Sequence, residues 1–168
     1  MEEIIKALCR TWREEWQGMV MGELKYRRGK QDPSSRYDIS FEGNRIIKIS
    51  AFDRVGGERM DILLFPFSTP VKSEPAAGDK GIFWRIFRND EIGKCSRSLG
   101  DHNNIHQMQH PVVSGFQIAL ELQKQWKAET FRIRFHYPVY GEEAVYIRER
   151  GNTLYGTTQF LCFEAVRQ

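Results

Sequence analysis

The chain has 168 residues, of which 40% are hydrophobic and 12% aromatic, and its formal net charge is +3 at pH 7. This length fits one domain over residues 1–168, and the composition excludes a disordered protein. The mild positive charge excludes a strongly basic protein dedicated to nucleic acid, so any preference for polyanions must come from local clusters of charge.

The cysteines and the N-terminal residues bear on the compartment. Cys9, Cys95 and Cys162 are an odd number without CxxC spacing, which is typical of a reducing compartment rather than of a disulfide scaffold. Charged residues interrupt the first 16 positions, and there is no apolar run of about 18 residues. We therefore expect a cytoplasmic protein without a signal peptide or a membrane span.

The first predicted element is an amphipathic helix over residues 2–17. An apolar residue recurs every fourth position, at Ile4, Leu8, Trp12 and Trp16. This spacing places the four side chains on one stripe of a helix. We expect the stripe to dock on the core of the protein.

Alternation of apolar and polar residues then predicts strands. Four of them cover residues 20–27, 36–41, 47–50 and 59–64. A surface loop is predicted over Ser68–Lys80. A fifth strand, Gly81–Arg88, has apolar residues on both faces and should be central or covered by a helix.

The longest apolar helical pattern runs from Pro111 to Ala128. Its apolar residues fill more than half of the helical wheel, so we expect a buried helix. Proline suits the first turn of a helix, so the histidine-rich stretch from Asp101 to His110 is predicted to be a loop.

Three further strands are predicted over Thr130–Tyr137, Ala144–Arg150 and Thr153–Val166, and Gly151-Asn152 should join the last two as a hairpin. The resulting fold class is α+β. We expect an antiparallel β-sheet or an eight-stranded barrel-like sheet, with an N-terminal amphipathic helix and one long helix inserted between strands 5 and 6.

A basic pair of strands is the first candidate site. If the strands that begin at Thr130 and Ala144 pair, Arg134 faces Arg148 and Arg132 faces Arg150. Like charges that face each other on a sheet repel, so these arginines are either solvated or bind an anionic ligand. The ligand-binding hypothesis takes these four arginines together with His136.

The histidine-rich loop is the second candidate. His102, His106 and His110 follow one another at intervals of four, and on one helical face they could bind a transition metal. Asn103 and Asn104 disfavour such a helix. A structural role in the loop is the alternative.

Cys95 is the third candidate, as a catalytic nucleophile. Lys94 and Arg97 flank it, and neighbouring cations lower the pKa of a thiol. A thiol-dependent transferase would combine Cys95 with the 102–110 histidine loop, although no base or oxyanion hole can be named. There is no P-loop, GxGxxG, HExxH or GxSxG motif, so the cofactor is unknown.

Two further hypotheses come from the strands. Arginine interleaved with aromatic residues, as in Phe83–Arg85, fits a stacking platform for single-stranded nucleic acid, although strand alternation explains the same pattern. The closing residues TTQFLCFEAVRQ and the arginines of the final strands resemble the lipocalin-type bilin lyases, whose barrels hold an open-chain tetrapyrrole by its propionates. The resemblance covers the final quarter of the chain, and the inserted helix departs from that fold.

Taken together, the sequence favours a non-catalytic binding or adaptor module. Its partner would be an acidic small molecule or a protein, recognised through the arginine-bearing sheet face. The alternatives are an enzyme or lyase-type chaperone and a single-stranded nucleic-acid binder.

Overall fold

The structure is a computed structural model that describes residues 1–30, 32, 34–67 and 81–168. The predicted loop Ser68–Lys80 lies outside the described residues. The described helices are α1 (Glu2–Arg10), α2 (Asn89–Leu99) and α3 (Gly115–Trp126), and short 3-10 turns cover Glu14–Trp16 and Asn104–His106. The strands are β1 (Met19–Arg27), β2 (Tyr37–Glu42), β3 (Ile47–Asp53), β4 (Arg59–Pro66), β5 (Ile82–Ile86), β6 (Thr130–Phe135), β7 (Ala144–Arg150), β8 (Thr153–Thr157) and β9 (Leu161–Arg167).

The nine strands form one antiparallel sheet in the order β2-β3-β4-β1-β6-β9-β8-β7-β5. This confirms the α+β class and the antiparallel sheet. Within the described residues the sheet has nine strands rather than eight, because the predicted strand Thr153–Val166 turns back between β8 and β9. In the described part of the chain, β2 and β5 are the two edges and do not pair with each other, so the sheet is open.

The predicted pairing of β6 with β7 is wrong. β6 lies between β1 and β9, and β7 lies between β8 and β5. The tight turn at Gly151-Asn152 pairs β7 with β8 directly, and β8 continues into β9, so two strands separate β6 from β7. Arg134 therefore faces Glu23 on one side and Glu164 on the other, instead of Arg148.

The core lies between α3 and the inner face of the sheet. Phe116, Ile118, Ala119 and Leu122 of α3 are each at most 2% exposed. Fully buried side chains of β1 and β6, among them Leu24 and Ile133, pack in the same hydrophobic cluster. The expectation that this helix is buried is confirmed.

α3 begins later than the sequence predicts. The Ser114 hydroxyl accepts a hydrogen bond from the Phe116 N–H, which makes Ser114 the N-cap. Val112 is extended and forms a β-bridge with Tyr140. Pro111 therefore belongs to the loop. The four residues before Gly115 connect this loop to the segment that follows β6.

Two other helices differ from the prediction. α1 ends at Arg10, and Trp16 lies in a 3-10 turn instead of the last turn of one long helix. α2 was not predicted, because its buried residues are few and its sequence is polar. Ile92, Ser96 and Leu99 form its inner face, and Gly100 ends it in the left-handed conformation, with φ 73°.

No helix among the described residues is long and apolar enough to cross a membrane. The cytoplasmic location stays a prediction.

Candidate active site

A buried acid and a buried histidine lie in the loop between α2 and α3. Asp101 follows the glycine that ends α2, and His106 ends the 3-10 turn Asn104–His106. Asp101 is 3% exposed and His106 is 6% exposed. The Asp101 Oδ2 and His106 Nε2 atoms are 3.2 Å apart. Ionisable groups are rarely so buried unless they are paired, so this contact calls for an explanation.

Several donors surround the Asp101 carboxylate. The Asn103 N–H donates to Oδ1 at 3.1 Å, and the Ser114 hydroxyl donates to Oδ2 at 3.1 Å. Burial alone would raise the pKa of Asp101. The hydrogen bond and the charge of His106, together with the hydrogen bonds from Asn103 and Ser114, hold this pKa below its usual value. The carboxylate is therefore favoured in its ionised form inside the protein.

The protonation of His106 follows from its partners. Its Nδ1 lies 2.7 Å from the Val112 carbonyl oxygen. A carbonyl can only accept, so Nδ1 carries a proton. The Nε2 atom faces the Asp101 oxygen, and two lone pairs would repel there.

One further proton must therefore sit between Nε2 and Oδ2. With Asp101 ionised, the proton is on Nε2 and the pair is a carboxylate beside an imidazolium. With the proton on Oδ2, the pair is a carboxylic acid beside a neutral imidazole. The pair thus holds a base and an acid 3.2 Å apart, which is the equipment of general acid–base catalysis. We call Asp101 and His106 the dyad.

A pocket of about 420 Å³ is lined by both members of the dyad. The rest of its wall is mostly apolar and comes from β1, β4, α3 and the residues after β6. Its large apolar side chains include Met19, Met21, Phe65, Phe116, Phe135 and Tyr137. Pockets of this size with a few polar groups are typical of small-molecule sites.

The N-terminal end of α3 also faces this pocket, through Ser114 and Gly115. The first N–H groups of a helix point along its axis and carry partial positive charge. A Cβ at Gly115 would lie 2.8 Å from the Met21 Sδ and 3.2 Å from the Phe135 ring. Glycine therefore keeps the helix end close to the pocket wall without a side chain in between.

The three histidines that we predicted as metal ligands are not brought together. His106 is buried in the dyad, whereas His102 and His110 are exposed. Only residues 104–106 form a helical turn, so the interval of four does not produce one face. Within the described ranges, no group of three or more histidine, cysteine or acidic side chains could hold a metal ion.

The Cys95 environment is the opposite of what the flanking cations suggested. Cys95 lies on α2 and is half-buried, and burial together with the negative charge of Asp101 raises the pKa of its thiol to about 11. Lys94 instead pairs with Asp90, at 2.8 Å. The thiol is therefore not activated in this structure, and a catalytic role for Cys95 stays a prediction.

The four predicted arginines share the outer face of the sheet, away from the helices, but they form two separate groups. Arg132 donates to Glu23 Oε2 at 2.7 Å through its Nε, and Arg134 lies 3.6 Å from the same oxygen. On β7, Arg148 lies over the Tyr155 ring, and Arg150 is exposed. Three strand spacings, about 14 Å, separate the groups.

Glu23 compensates the first arginine group. Burial opposes its ionisation, but hydrogen bonds from Arg132 and Lys25 hold the pKa of Glu23 below its usual value. His136, the fifth predicted ligand-binding residue, lies 3.6 Å from Glu164 and lines the same pocket as the dyad. A ligand-binding role stays a prediction for all five residues, and among them only His136 reaches this pocket.

Sequence reasoning missed Asp101 as a site residue. The available signal was an aspartate and a histidine five positions apart in a loop that also contains Ile105. The interval of four between the histidines is the more regular pattern, and it predicted a metal site instead.

The fold resembles that of several solved structures. HtdX from Mycobacterium tuberculosis matches with a TM-score of 0.64 and 13% identity, over 98% of this chain and 82% of that one. A MaoC-like dehydratase from Phytophthora capsici matches with a TM-score of 0.52 and 15% identity, over 95% and 74%. The peroxisomal multifunctional enzyme type 2 from Drosophila melanogaster gives 0.51 and 14%, over 88% of this chain and 36% of that one.

These matches show that the antiparallel sheet with its few helices has the MaoC-like, or hot-dog, fold. No protein-family model matches the chain. No curated protein sequence matches it either.

The expectation of a non-catalytic binding or adaptor module is overturned by this finding. The fold is shared with a dehydratase and a multifunctional enzyme, and the described pocket contains an acid–base pair. The bilin-lyase resemblance implied a closed barrel, whereas the described sheet is open. The arginine-bearing face that motivated the adaptor hypothesis lies on the side of the sheet opposite to the helix.

Proposed function

We propose that the protein is a hydratase or dehydratase, which adds water to, or removes it from, the carbon–carbon double bond next to a carbonyl group in a substrate with an apolar chain. The observation that carries the proposal is the buried dyad in the wall of an apolar pocket. The MaoC-like fold supports it, because a dehydratase with that fold matches most of the chain.

The dyad has the groups that dehydration requires. The carbonyl makes the hydrogen on the adjacent carbon acidic, and the Asp101 carboxylate removes it as a proton. The electron pair of that C–H bond forms the double bond while the C–O bond of the β-hydroxyl breaks. The His106 imidazolium donates its Nε2 proton to the departing oxygen, which leaves as water.

The dyad returns to its starting protonation state by one internal proton transfer. After the reaction Asp101 carries a proton and His106 is neutral. One transfer from Oδ2 to Nε2, across 3.2 Å, restores the starting pair without solvent. Hydration runs through the same steps in reverse.

The N-terminal end of α3 can stabilise the charge that develops during the reaction. Removal of the proton shifts negative charge to the carbonyl oxygen of the substrate. An N–H at the start of a helix, such as that of Gly115, stabilises an oxyanion in a site shielded from water. The three working parts are therefore a base, an acid and a helix terminus on one pocket.

The pocket wall indicates the substrate class. Two methionines, Met19 and Met21, adapt to an irregular apolar chain, and Phe65 and Phe135 add apolar surface. His136 at the same pocket is the residue that we propose to contact the polar end of the substrate. A polar or strongly branched chain would leave the apolar wall poorly filled.

The test uses α,β-unsaturated acyl thioesters of increasing chain length, because a thioester acidifies the neighbouring hydrogen. Addition of water destroys the conjugated double bond and its ultraviolet absorbance. We expect the wild-type protein to remove this absorbance and Asp101→Asn to be slower by about 100- to 10,000-fold. Equal rates in both proteins, or no reaction at any chain length, would contradict the proposal.

A further inference from the structure

Two amide side chains fasten the dyad loop to the beginning of β1. Gln17 precedes β1, and its Nε2 donates to the His102 carbonyl at 3.0 Å, while its Oε1 accepts from the Asn104 N–H at 2.9 Å. The two backbone groups flank Asn103. The exposed Gln17 side chain thus binds backbone groups of the residues before and after Asn103.

The Asn103 side chain in turn forms two hydrogen bonds with the backbone at the beginning of β1. Its Oδ1 accepts from the Gly18 N–H at 3.0 Å, and its Nδ2 donates to the Met19 carbonyl at 2.7 Å. Asn103 is 2% exposed. The four hydrogen bonds join segments that are about 85 positions apart in the sequence.

The residue held in this way contacts both members of the dyad through its backbone. The Asn103 N–H donates to Asp101 Oδ1 at 3.1 Å, and the Asn103 carbonyl accepts from the His106 N–H at 3.2 Å. Movement of Asn103 therefore moves the carboxylate and the imidazole relative to each other. On the other side, Met19 lines the pocket, so the contacts also set the dyad against the pocket wall.

We propose that Gln17 and Asn103 are positioning residues, which hold Asp101 and His106 at the separation and orientation that proton transfer requires. This inference rests on the proposed function for its catalytic meaning. Neither side chain takes part in the reaction. We call the four hydrogen bonds of Gln17 and Asn103 the clamp. A displacement of about 1 Å at a reacting group can cost about 100-fold in rate, so loss of the clamp should have a measurable effect on the rate.

Gln17 is the better residue to change, because it is exposed and its loss leaves no buried cavity. Gln17→Ala removes both of its hydrogen bonds. Gln17→Glu keeps an acceptor for the Asn104 N–H but places a carboxylate oxygen against the His102 carbonyl. Gln109→Ala is the matched control, since Gln109 is an exposed glutamine of the same loop whose side chain forms no hydrogen bond in the described structure.

The first measurement is independent of activity. The ring nitrogen chemical shifts of His106 report the proton shared with Asp101. We expect them to change in Gln17→Ala and to stay at wild-type values in Gln109→Ala. Unchanged His106 shifts in Gln17→Ala would overturn the clamp, whether or not the protein is an enzyme.

The second measurement is the steady-state kinetics with the enoyl thioester. We expect kcat of Gln17→Ala to fall by about 10- to 100-fold, with KM within twofold, a changed pH profile of kcat, and an intermediate kcat for Gln17→Glu. A kcat of Gln17→Ala equal to that of Gln109→Ala would also overturn the inference. If the wild-type protein is inactive while the His106 shifts respond to Gln17→Ala, the proposed function fails and the clamp stands.

Discussion

The loop before α3 and the outer face of the sheet both carry charged residues, but the two regions treat them differently. In the loop, one carboxylate and one imidazole are almost completely buried and lie 3.2 Å apart. On the outer face, Arg134 is half-exposed and lies near the carboxylate of Glu23. Water and counter-charges screen the outer face, whereas the interior leaves each charge dependent on one partner. The comparison shows that burial and partner, rather than the number of charges, identify the reactive site.

The largest effect should follow from breaking the dyad. Asp101→Asn keeps the size of the side chain but removes the base, and His106→Gln removes the acid. General acid–base groups contribute about 100- to 10,000-fold each, so we expect a loss of kcat in that range in each variant by the absorbance assay. Because the groups act as one unit, the double variant should be little slower than either single variant. Additive losses would contradict a shared mechanism.

Cys95 extends the comparison to a half-buried group. Its raised pKa, about 11, leaves little thiolate at pH 7, and the thiolate is the reactive form. We expect iodoacetamide to label Cys95 about 100-fold more slowly than a free thiol, as measured by mass spectrometry of the peptides. Labelling as fast as that of a free thiol would restore the catalytic hypothesis for this residue.

Ser114 connects the dyad to α3. It donates to Asp101 and caps the helix. Loss of an N-cap costs about 1 kcal/mol and loss of a hydrogen bond to a charged group about 1.5–3 kcal/mol, so Ser114→Ala should lower stability by about 2–4 kcal/mol in urea unfolding. The rate should fall by about tenfold or more, since the lost hydrogen bond to the charged base is worth about 1.5–3 kcal/mol. Ser98→Ala, which removes an exposed hydroxyl on α2, is the control and should leave the rate unchanged.

The dependence of stability on pH should also separate the two regions. The folded-state pKa of Asp101 is lowered, so its stabilising contribution is complete above the unfolded-state value of about 3.9 and is lost as the pH falls through the folded-state value. The stability difference between wild type and Asp101→Asn should therefore shrink from pH 7 to pH 3 in urea unfolding. Asp90→Asn, at an exposed site, should show a smaller change. A difference that grows on acidification would reverse the assigned direction.

The smallest effect is expected on the outer face. Arg134→Gln combined with Arg150→Gln removes two exposed charges, and exposed ion pairs contribute about 0–1 kcal/mol. We expect Tm to shift by no more than a few degrees and the rate on the enoyl thioester to stay within twofold. A large loss of activity would show that the outer face takes part in function and would undo the comparison.

The sequence predicted the strands well and the dyad poorly, for physical reasons. Alternation with period two is local, so β6 and β7 were found almost residue for residue. Strand pairing is not local, and the β6–β7 pairing therefore failed. α2 escaped because its inner face consists of Ile92, Ser96 and Leu99 alone, which is a weak signal.

The site depends on contacts that no local pattern reveals. Three histidines occur at equal intervals in the loop, and only His106 is buried. His106 is the buried one because of contacts between distant segments. Gln17 binds the His102 carbonyl, Asn103 binds the Met19 carbonyl, and the Val112 carbonyl binds His106 Nδ1. Local patterns in a sequence do not report such contacts between distant positions.

The central claim is that the dyad moves a proton at the carbon next to the carbonyl. The most direct measurement is hydration of the enoyl thioester in deuterated water, with mass spectrometry of the product. We predict one carbon-bound deuterium beside the carbonyl in each molecule that the wild-type protein hydrates, and almost no hydrated product with Asp101→Asn. Product formed at equal rates by the two proteins, or product without deuterium at that carbon, would contradict the account.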